Sequence, residues 1–461
     1  MRSDLVSVLP IALDPLSKSS IPVQLSEQIR NFVASGILSP GDALPSTRSL
    51  ASRLGVSRGS VVTAYDQLAG EGYLTAEHGS GTVINPDLHL LKPVDKDWGK
   101  EDLSEPKRRL LNLDPGIPDT STLADSAWRA AWRNACATPP IDVPAQGLMA
   151  LRKEIADHLR HMRGLVAHPE QIIVTAGARE GLTLLLQSSG DRVTVGVESP
   201  GYPSLRKIPD ALGHRTVDVR TDASGLVPTD LPHDLDAVLI TPSHQYPYGG
   251  SLPAARRTTL ANWAETTDTL LLEDDYDSEL RYVGMPLPPL RALAPDRTIL
   301  LGTFSSVIAP QVSCGYLIAP TPIAEKLATL RQILGQPASA ITQQALATYL
   351  ASGALRRRTQ RLRRLYRKRR HIVHTLLGDL PGAQLRPING GLHAVLICEA
   401  PESEVVESLA SRGIRVTALS DYWGGTGAEN GIVFGFGSHD DDTLDWALSE
   451  MADVLKEKAA L

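Results

Sequence analysis

Cysteine is scarce in this chain: Cys136, Cys314 and Cys398 are the only three in 461 residues. They are odd in number and far apart, which excludes a disulfide framework and any metal-ligand spacing, and they read as buried thiols in a reducing cytosol. Long hydrophobic runs are missing as well. None approaches the roughly 18–20 apolar residues that span a bilayer, so no membrane contact is expected. The opening stretch MRSDLVSVLPIALDPLSKSS carries Asp4 and Asp14 and no small-residue cleavage pattern, so a secretory signal is not expected and the location read from it is cytoplasmic. An excess of positive charge is also absent. The net charge of −6 argues against a protein that coats nucleic acid non-specifically, although a local footprint decides specific binding. Internal repeats and low-complexity tracts are lacking. The length implies two or three domains, and 42% hydrophobic with 21% charged residues is a soluble globular composition.

What is present begins with three helical patterns. Ile21 to Ala34 sets Val23, Leu25, Ile29, Phe32 and Val33 on one face. After the turn Ser39-Pro40-Gly41-Asp42, Ser46 is an N-cap for a short helix ending at Gly55. Ser57 caps a third helix to about Gly70, with Val61, Ala64, Tyr65 and Leu68 inward. Only Gly55-Val56 separates the last two, the tight turn of a helix-turn-helix. Short β runs at Tyr73-Leu74-Thr75 and Gly81–Ile84 flank His78-Gly79-Ser80, which reads as a hairpin or wing.

A helix-turn-helix offers the start of its last helix to the major groove. Arg58 suits a guanine edge there, Gly59 lets the backbone approach, and the hydroxyls of Ser57 and Ser60 suit phosphate. Arg48 is placed for a phosphate, and His78 and Gly79 for a minor-groove contact. Between residues 16 and 84 five cations (Lys18, Arg30, Arg48, Arg53, Arg58) meet five anions (Glu27, Asp42, Asp66, Glu71, Glu77). Composition alone therefore leaves an ordinary three-helix domain open. The full string LSPGDALPSTRSLASRLGVSRGSVVTAYDQLAGEGYLTAEHGSGTVI resembles the GntR family of winged-helix repressors over essentially the whole module. The resemblance implies double-stranded operator DNA as partner and puts Arg48, Ser57, Arg58, Gly59, Ser60, His78 and Gly79 at contact positions. At Val62 many relatives carry an arginine.

Residues 86–109 are mixed in charge with little periodicity and read as a linker. Strand-like runs then alternate with helices: Gln171–Ala176, Val193–Val197, Ala237–Thr241, Thr269–Glu273 and Thr298–Thr303. A largely parallel α/β sheet is the economical reading, followed from about Ile323 by a long helical region and an α+β tail. Leu272-Glu273-Asp274-Asp275-Tyr276-Asp277-Ser278-Glu279 is an apolar strand that ends abruptly in carboxylates. Ligand crevices of open sheets lie at the carboxyl ends of strands, so these acids are expected to face a site. A solvated acidic turn is the alternative, and no neighbouring histidine suggests a metal. Thr241-Pro242-Ser243-His244-Gln245-Tyr246-Pro247-Tyr248-Gly249 reads as a rigid crevice loop.

These segments, with PGIPDTSTL from Pro115, VTAGAREGLTLLL from Val174, ESPGY from Glu198 and LGTFSSVIAPQVSCGYL from Leu301, resemble the MocR subgroup of GntR regulators. That resemblance implies a C-terminal part with the fold of type I pyridoxal-phosphate aminotransferases. By it, Asp274 matches the partner of the pyridine nitrogen, Tyr276 the tyrosine near the ring hydroxyl, and Tyr202 the stacking aromatic. Ala178, Thr303 and Ser305 match the phosphate cradle. The lysine position falls at Ser306, which cannot form an imine. The phosphate-binding arginine falls at Ser313, and the partner subunit's tyrosine near Ile141, with no tyrosine between Trp128 and Gly201. A near-terminal arginine for a substrate carboxylate has no counterpart in Gly431–Gly435.

A run of ten Lys/Arg in residues 356–370, RRRTQRLRRLYRKRR, sets Leu355, Leu362, Leu365 and Tyr366 as a buried stripe with the charges outward. A solvated face and a second DNA footprint both stay open. The expected architecture is α/β: a winged helix-turn-helix at 15–85, a linker at 86–109 and an aminotransferase-like domain at 110–461. Its large, mostly parallel part is 110–320 and its smaller α+β part 321–461. The expected function is a homodimeric, sequence-specific transcriptional regulator rather than an enzyme. Its crevice is expected to sense a small molecule without covalent pyridoxal phosphate and without metal. Non-covalent pyridoxal phosphate, another effector, no ligand at all, and an active pyridoxal-phosphate-dependent aminotransferase, against which Ser306 argues, remain alternatives.

Overall fold

The computed structural model describes residues 9–14, 17, 19–77, 81–88, 110–139, 142–284, 287–425 and 429–459. The chain divides into two compact units, Met1–Lys107 and Arg108–Leu461.

In the first unit α1 (Ile21–Ala34), α2 (Thr47–Leu54) and α3 (Arg58–Gly70) precede a hairpin of β1 (Leu74–Glu77) and β2 (Gly81–Ile84). The caps fix the turn. Ser46 accepts from Ser49 N–H at 3.2 Å, Gly55 ends α2 at φ 65°, and Ser57 accepts from Ser60 N–H at 3.1 Å. Gly55 suits a left-handed position that a Cβ would strain. Leu25, Ile29 and Val33 of α1 meet Val61, Ala64, Tyr65 and Leu68 of α3 in one core. Two members of the expected α1 face differ: Val23 is exposed and Phe32 only half-buried, because α1 packs one narrow stripe against α3. The first hairpin strand starts a residue later than expected and runs on to Glu77.

The second unit is built on an eight-stranded sheet. Its strands are β3 (Ile172–Thr175), β4 (Thr194–Ser199), β5 (Arg215–Asp222), β6 (Gly225–Leu226), β7 (Ala237–Ile240), β8 (Leu270–Asp275), β9 (Thr298–Thr303) and β10 (Gly315–Ile318). Their spatial order is β3-β10-β9-β8-β7-β4-β5-β6. The central pairs are parallel; β10 runs antiparallel to both β3 and β9, and β6 to β5. Strands β3, β7 and β8 are almost wholly buried, which is why they read as continuous apolar runs. The alternative of a solvated acidic turn does not hold. Glu273, Asp274, Asp275 and Asp277 are all buried, because β8 continues through Asp275 and pairs it with Gly302 of β9. The C-terminal part adds an antiparallel sheet of β11 (Ala383–Leu385), β12 (His393–Cys398), β13 (Thr417–Ala418) and β14 (Gly431–Gly435), in order β11-β12-β14-β13. No helix among the described residues is long and apolar enough to cross a membrane.

Two expectations need correction. Cys136 is exposed, on the outer face of the helix Ser126–Ala137, whereas Cys314 and Cys398 are buried. The arginine run, which lies in the helix Ala354–Leu377, is not simply a solvated face. Arg358 and Arg369 are buried, and five of the arginines donate to main-chain carbonyls of loops distant in the chain. Arg358 reaches Val307 O at 2.7 Å, Arg363 Glu279 O at 2.5 Å, Arg367 Tyr282 O at 3.0 Å, Arg369 Gly437 O at 2.6 Å and Arg370 Ile388 O at 2.6 Å. A guanidinium carries five donors, so one side chain can satisfy several loop carbonyls that lack a ladder partner.

Candidate functional sites

On the first unit, Arg48, Ser57, Arg58 and Gly59 are exposed and Ser60 is half-buried. Neither Arg48 nor Arg58 has a carboxylate partner among the described residues, so both guanidiniums are open to a polyanion. The Ser57 hydroxyl caps α3 and lies 2.9 Å from that of Ser60, which fixes the first turn of the helix carrying Arg58. A Cβ on Gly59 would meet only Ser57 Oγ, at 3.8 Å. That leaves room for close approach of a backbone. His78 and Gly79 lie outside the described residues.

On the second unit, β3, β4, β7, β8 and β9 end at one edge of the sheet, and most of the predicted crevice residues gather there. Ala178 opens the helix Ala178–Gln187 directly after Gly177, whose φ is 112° and which provides no side-chain cap. A Cβ on Gly177 would stand 4.0 Å from Thr303 Oγ1, and Thr303 Oγ1 lies 2.9 Å from Ser305 Oγ. The uncapped start of this helix and two hydroxyls thus lie near one another, groups of the kind that suit an anion. Arg179, in the same first turn, extends to 3.5 Å from Tyr202 Oη. Ser306 is buried and donates to the Tyr276 carbonyl at 2.5 Å. Ser313 stands at φ 46° just before β10. Ile141 lies outside the described residues.

Asp274 is 3% exposed, and its Oδ1 has no hydrogen-bond partner among the described residues. It borders a void of about 10 Å³ shared with Tyr202, Glu198 and Thr241. Burial, then the neighbouring Asp275 and Asp277, push its carboxyl well above the usual carboxylate range. A buried acceptor left unpaired is costly unless a donor arrives. Burial likewise pushes Glu198 up to about 7, although Thr241 donates to it through N–H at 3.0 Å and hydroxyl at 2.5 Å. Tyr202 packs edge-on against Tyr246, with ring centroids 5.0 Å apart.

Two further side chains, His244 and Arg163, support the crevice. His244 Nδ1 is 2.8 Å from both Asp277 Oδ2 and Tyr276 Oη, and the Tyr276 hydroxyl donates to the His244 carbonyl at 2.9 Å. Glycines make room for this group: a Cβ on Gly391 would fall 2.5 Å from both Asp277 Oδ2 and His244 Cε1. Arg163, the last residue of a helix begun at Met149, binds Asp275 and Ser278 and reaches Ser243 Oγ at 3.1 Å. Its buried charge compensates the acidic strand end. His244 sat within the rigid loop noted in the sequence, whereas nothing local marked Arg163. Among the described residues no cluster of His, Cys, Asp and Glu is arranged to hold a metal.

Residues 23–84 match the family described as bacterial regulatory proteins, gntR family. The chain is 74% identical to the HTH-type pyridoxine biosynthesis transcriptional regulator PdxR of Corynebacterium glutamicum, over 97% of this chain and 98% of that one. It is 28% identical to the probable rhizopine catabolism regulatory protein MocR of Rhizobium meliloti, over 91% of each. Among solved structures, an archaeal alanine:glyoxylate aminotransferase superposes with a TM-score of 0.71 at 25% identity, covering 76% of this chain and 91% of that one. The chain therefore belongs with the HTH-type transcriptional regulators that include PdxR, DNA-binding proteins that join a gntR-family helix-turn-helix domain to an aminotransferase-like domain.

Proposed function

We propose that this chain is a homodimeric, sequence-specific regulator of pyridoxine-biosynthesis genes that senses a pyridine-ring effector without binding it covalently. The likeness to the Corynebacterium regulator supports the gene class. The observation that carries the effector class is the orphaned, buried Asp274 Oδ1 beside the Tyr202 ring. A protonated ring nitrogen would meet that oxygen as donor and counter-charge, drawing the carboxyl back to its ionised form. The chain's residues suit pyridoxal phosphate at its ring, and at its phosphate only in part: Thr303, Ser305 and the N–H groups beginning at Ala178 would hold it, but the family's arginine position falls at Ser313. They do not fit it as a covalent anchor, because the family's lysine position falls at Ser306, whose hydroxyl cannot condense with an aldehyde. When bound, the cofactor supplies an electron-withdrawing ring. With serine at position 306 the chain offers no amine there to anchor the cofactor or to carry a proton in transamination, which supports a sensor over an enzyme.

Two Arg58-bearing helices in one dimer would read paired half-sites, so operator symmetry would mirror protein symmetry. An effector can change operator affinity only by favouring one dimer geometry over another. Sequencing the DNA that the full-length protein enriches from its own genome tests the reading. Enrichment upstream of pyridoxine-biosynthesis genes is expected; enrichment elsewhere alone would refute the proposed gene class.

A further inference from the structure

Another cavity of the second unit is lined by none of the predicted crevice residues. It is a cleft of about 970 Å³, and none of Ala178, Tyr202, Asp274, Tyr276, Thr303, Ser305 or Ser306 lines it. One wall comes from the eight-stranded sheet, through Ser224 in the β5–β6 turn, Tyr248 and Arg281. The other comes from the small sheet and its loops, through Arg386, Asn389 and Trp423. Its size is that of a pocket for a small metabolite.

Charge in this cleft is unevenly matched. Asp222 is held by Arg256 at 2.6 Å, Arg220 pairs with Asp230 at 3.2 Å, and Arg386 pairs with Glu429 at 2.9 Å. Arg281 differs. Its Nε donates to Val283 O at 2.8 Å and Nη1 to Ser251 Oγ at 2.7 Å, both neutral acceptors, and it has no carboxylate partner among the described residues. Half-burial without a counter-ion lowers its pKa, desolvation being the sole cause. A guanidinium keeps its charge regardless, so the site is a standing positive potential in a partly desolvated recess. Two neutral groups on the cleft, the Asn389 amide and the Ser224 hydroxyl, likewise have no side-chain partner among the described residues.

Part of the lining is aromatic. Tyr248 and Trp423 meet edge to face at 6.0 Å, and the Arg386 guanidinium lies 5.3 Å over the Tyr248 ring. Tyr248 Oη donates to Glu429 at 2.7 Å, so this group ties the wall of the large sheet to that of the small one.

We propose that this cleft is a second ligand site, one that takes a ring-bearing oxyanion. Its phosphate or carboxylate binds Arg281 with help from Asn389 and Ser224, and its ring lies against Tyr248 and Trp423. Phosphate and carboxylate share the chemistry of a planar or tetrahedral oxyanion accepting from a guanidinium fork. Because the ligand touches both walls, its occupancy fixes the spacing between the large and small sheets. This gives the regulator an input separate from the Asp274 crevice.

The experiment is calorimetric titration of the full-length protein with phenyl phosphate and, separately, with benzoate. Wild type binds at least one of them, and the preferred probe identifies the oxyanion. Arg281→Gln weakens that probe at least tenfold. Since Arg281 also braces Ser251 and Val283, a second variant, Ser224→Trp, leaves Arg281 in place and fills the cleft; it too abolishes binding. Absence of binding of both probes to wild type at millimolar concentration overturns the proposal. So does wild-type affinity in either folded variant.

Discussion

Replacing Arg369 by Met tests whether the arginine run holds the second unit together. Arg369 is 2% exposed. It donates to Asp119 Oδ2 at 3.0 Å, to Asp441 Oδ1 at 3.1 Å and to Gly437 O at 2.6 Å. Asp119 is itself 6% exposed, and after the substitution its carboxylate keeps only Ser121 as a hydrogen-bond donor, through N–H at 2.9 Å and hydroxyl at 2.5 Å. Removing one partner of a buried pair leaves an uncompensated charge, which costs about 3–5 kcal/mol. The Asp441 contact is more exposed and adds little. Arg364→Met, in the same helix but exposed and unpaired among the described residues, is expected to change stability by no more than about 0.5 kcal/mol. Urea unfolding of both full-length variants, followed by tryptophan fluorescence, measures the difference. Adding Asp119→Asn to Arg369→Met should recover part of the loss, because the unpaired charge is gone. If the two arginine variants unfold at the same urea concentration, the run is a solvated face after all.

Other outcomes follow from the two sites. Arg58→Ala is expected to cost about 1–3 kcal/mol of operator affinity and to relax base preference, whereas Arg48→Ala weakens binding evenly across sequences, as read by gel shift against specific and scrambled duplexes. Glu198 holds its proton up to about pH 7 when folded, against an ordinary value of 4.5. Its contribution to stability is therefore full below pH 4.5 and is lost as pH rises through 7. Glu198→Gln should flatten that decline by something on the order of 3 kcal/mol in denaturation curves taken across the window. Incubation with pyridoxal phosphate and borohydride should leave no lasting mass increment on Ser306-containing peptides and no imine absorbance band; a stable pyridoxyl adduct on a lysine of the crevice would contradict non-covalent sensing.

Much of this architecture was legible before any coordinates. Ser46, Gly55 and Ser57 mark local events, caps and a left-handed turn, and local events are written in adjacent residues. Strand β9 was bounded correctly as Thr298–Thr303 because it is apolar and buried on both faces. Strand β8 was cut short at Glu273, since Asp274 and Asp275 disfavour a strand by propensity, yet parallel pairing with Leu301 and Gly302 extends it. The crevice showed itself through Asp274 and Tyr276 in one segment and Tyr202 in another. Its supports did not. Arg163 is 112 residues from Asp275 in the chain, and His244 meets Asp277 across 33. A pairing set by tertiary packing leaves no local period to read. The arginine run misled for a related reason: an amphipathic pattern counts arginine as outward-facing, while the carbonyls that Arg358 and Arg369 satisfy lie in distant loops.

The proposed regulator reads an effector through Asp274 without covalent chemistry. That reading is tested most directly by fluorescence-anisotropy titration of its operator duplex with wild type and Asp274→Ala, each with and without saturating pyridoxal phosphate. Wild type should change operator affinity about 5- to 150-fold on adding the ligand, the span of a coupling of about 1–3 kcal/mol. Asp274→Ala should bind the bare operator within about 0.5 kcal/mol of wild type and show no response to the ligand. An equal response in both proteins, or none in wild type, would contradict the account.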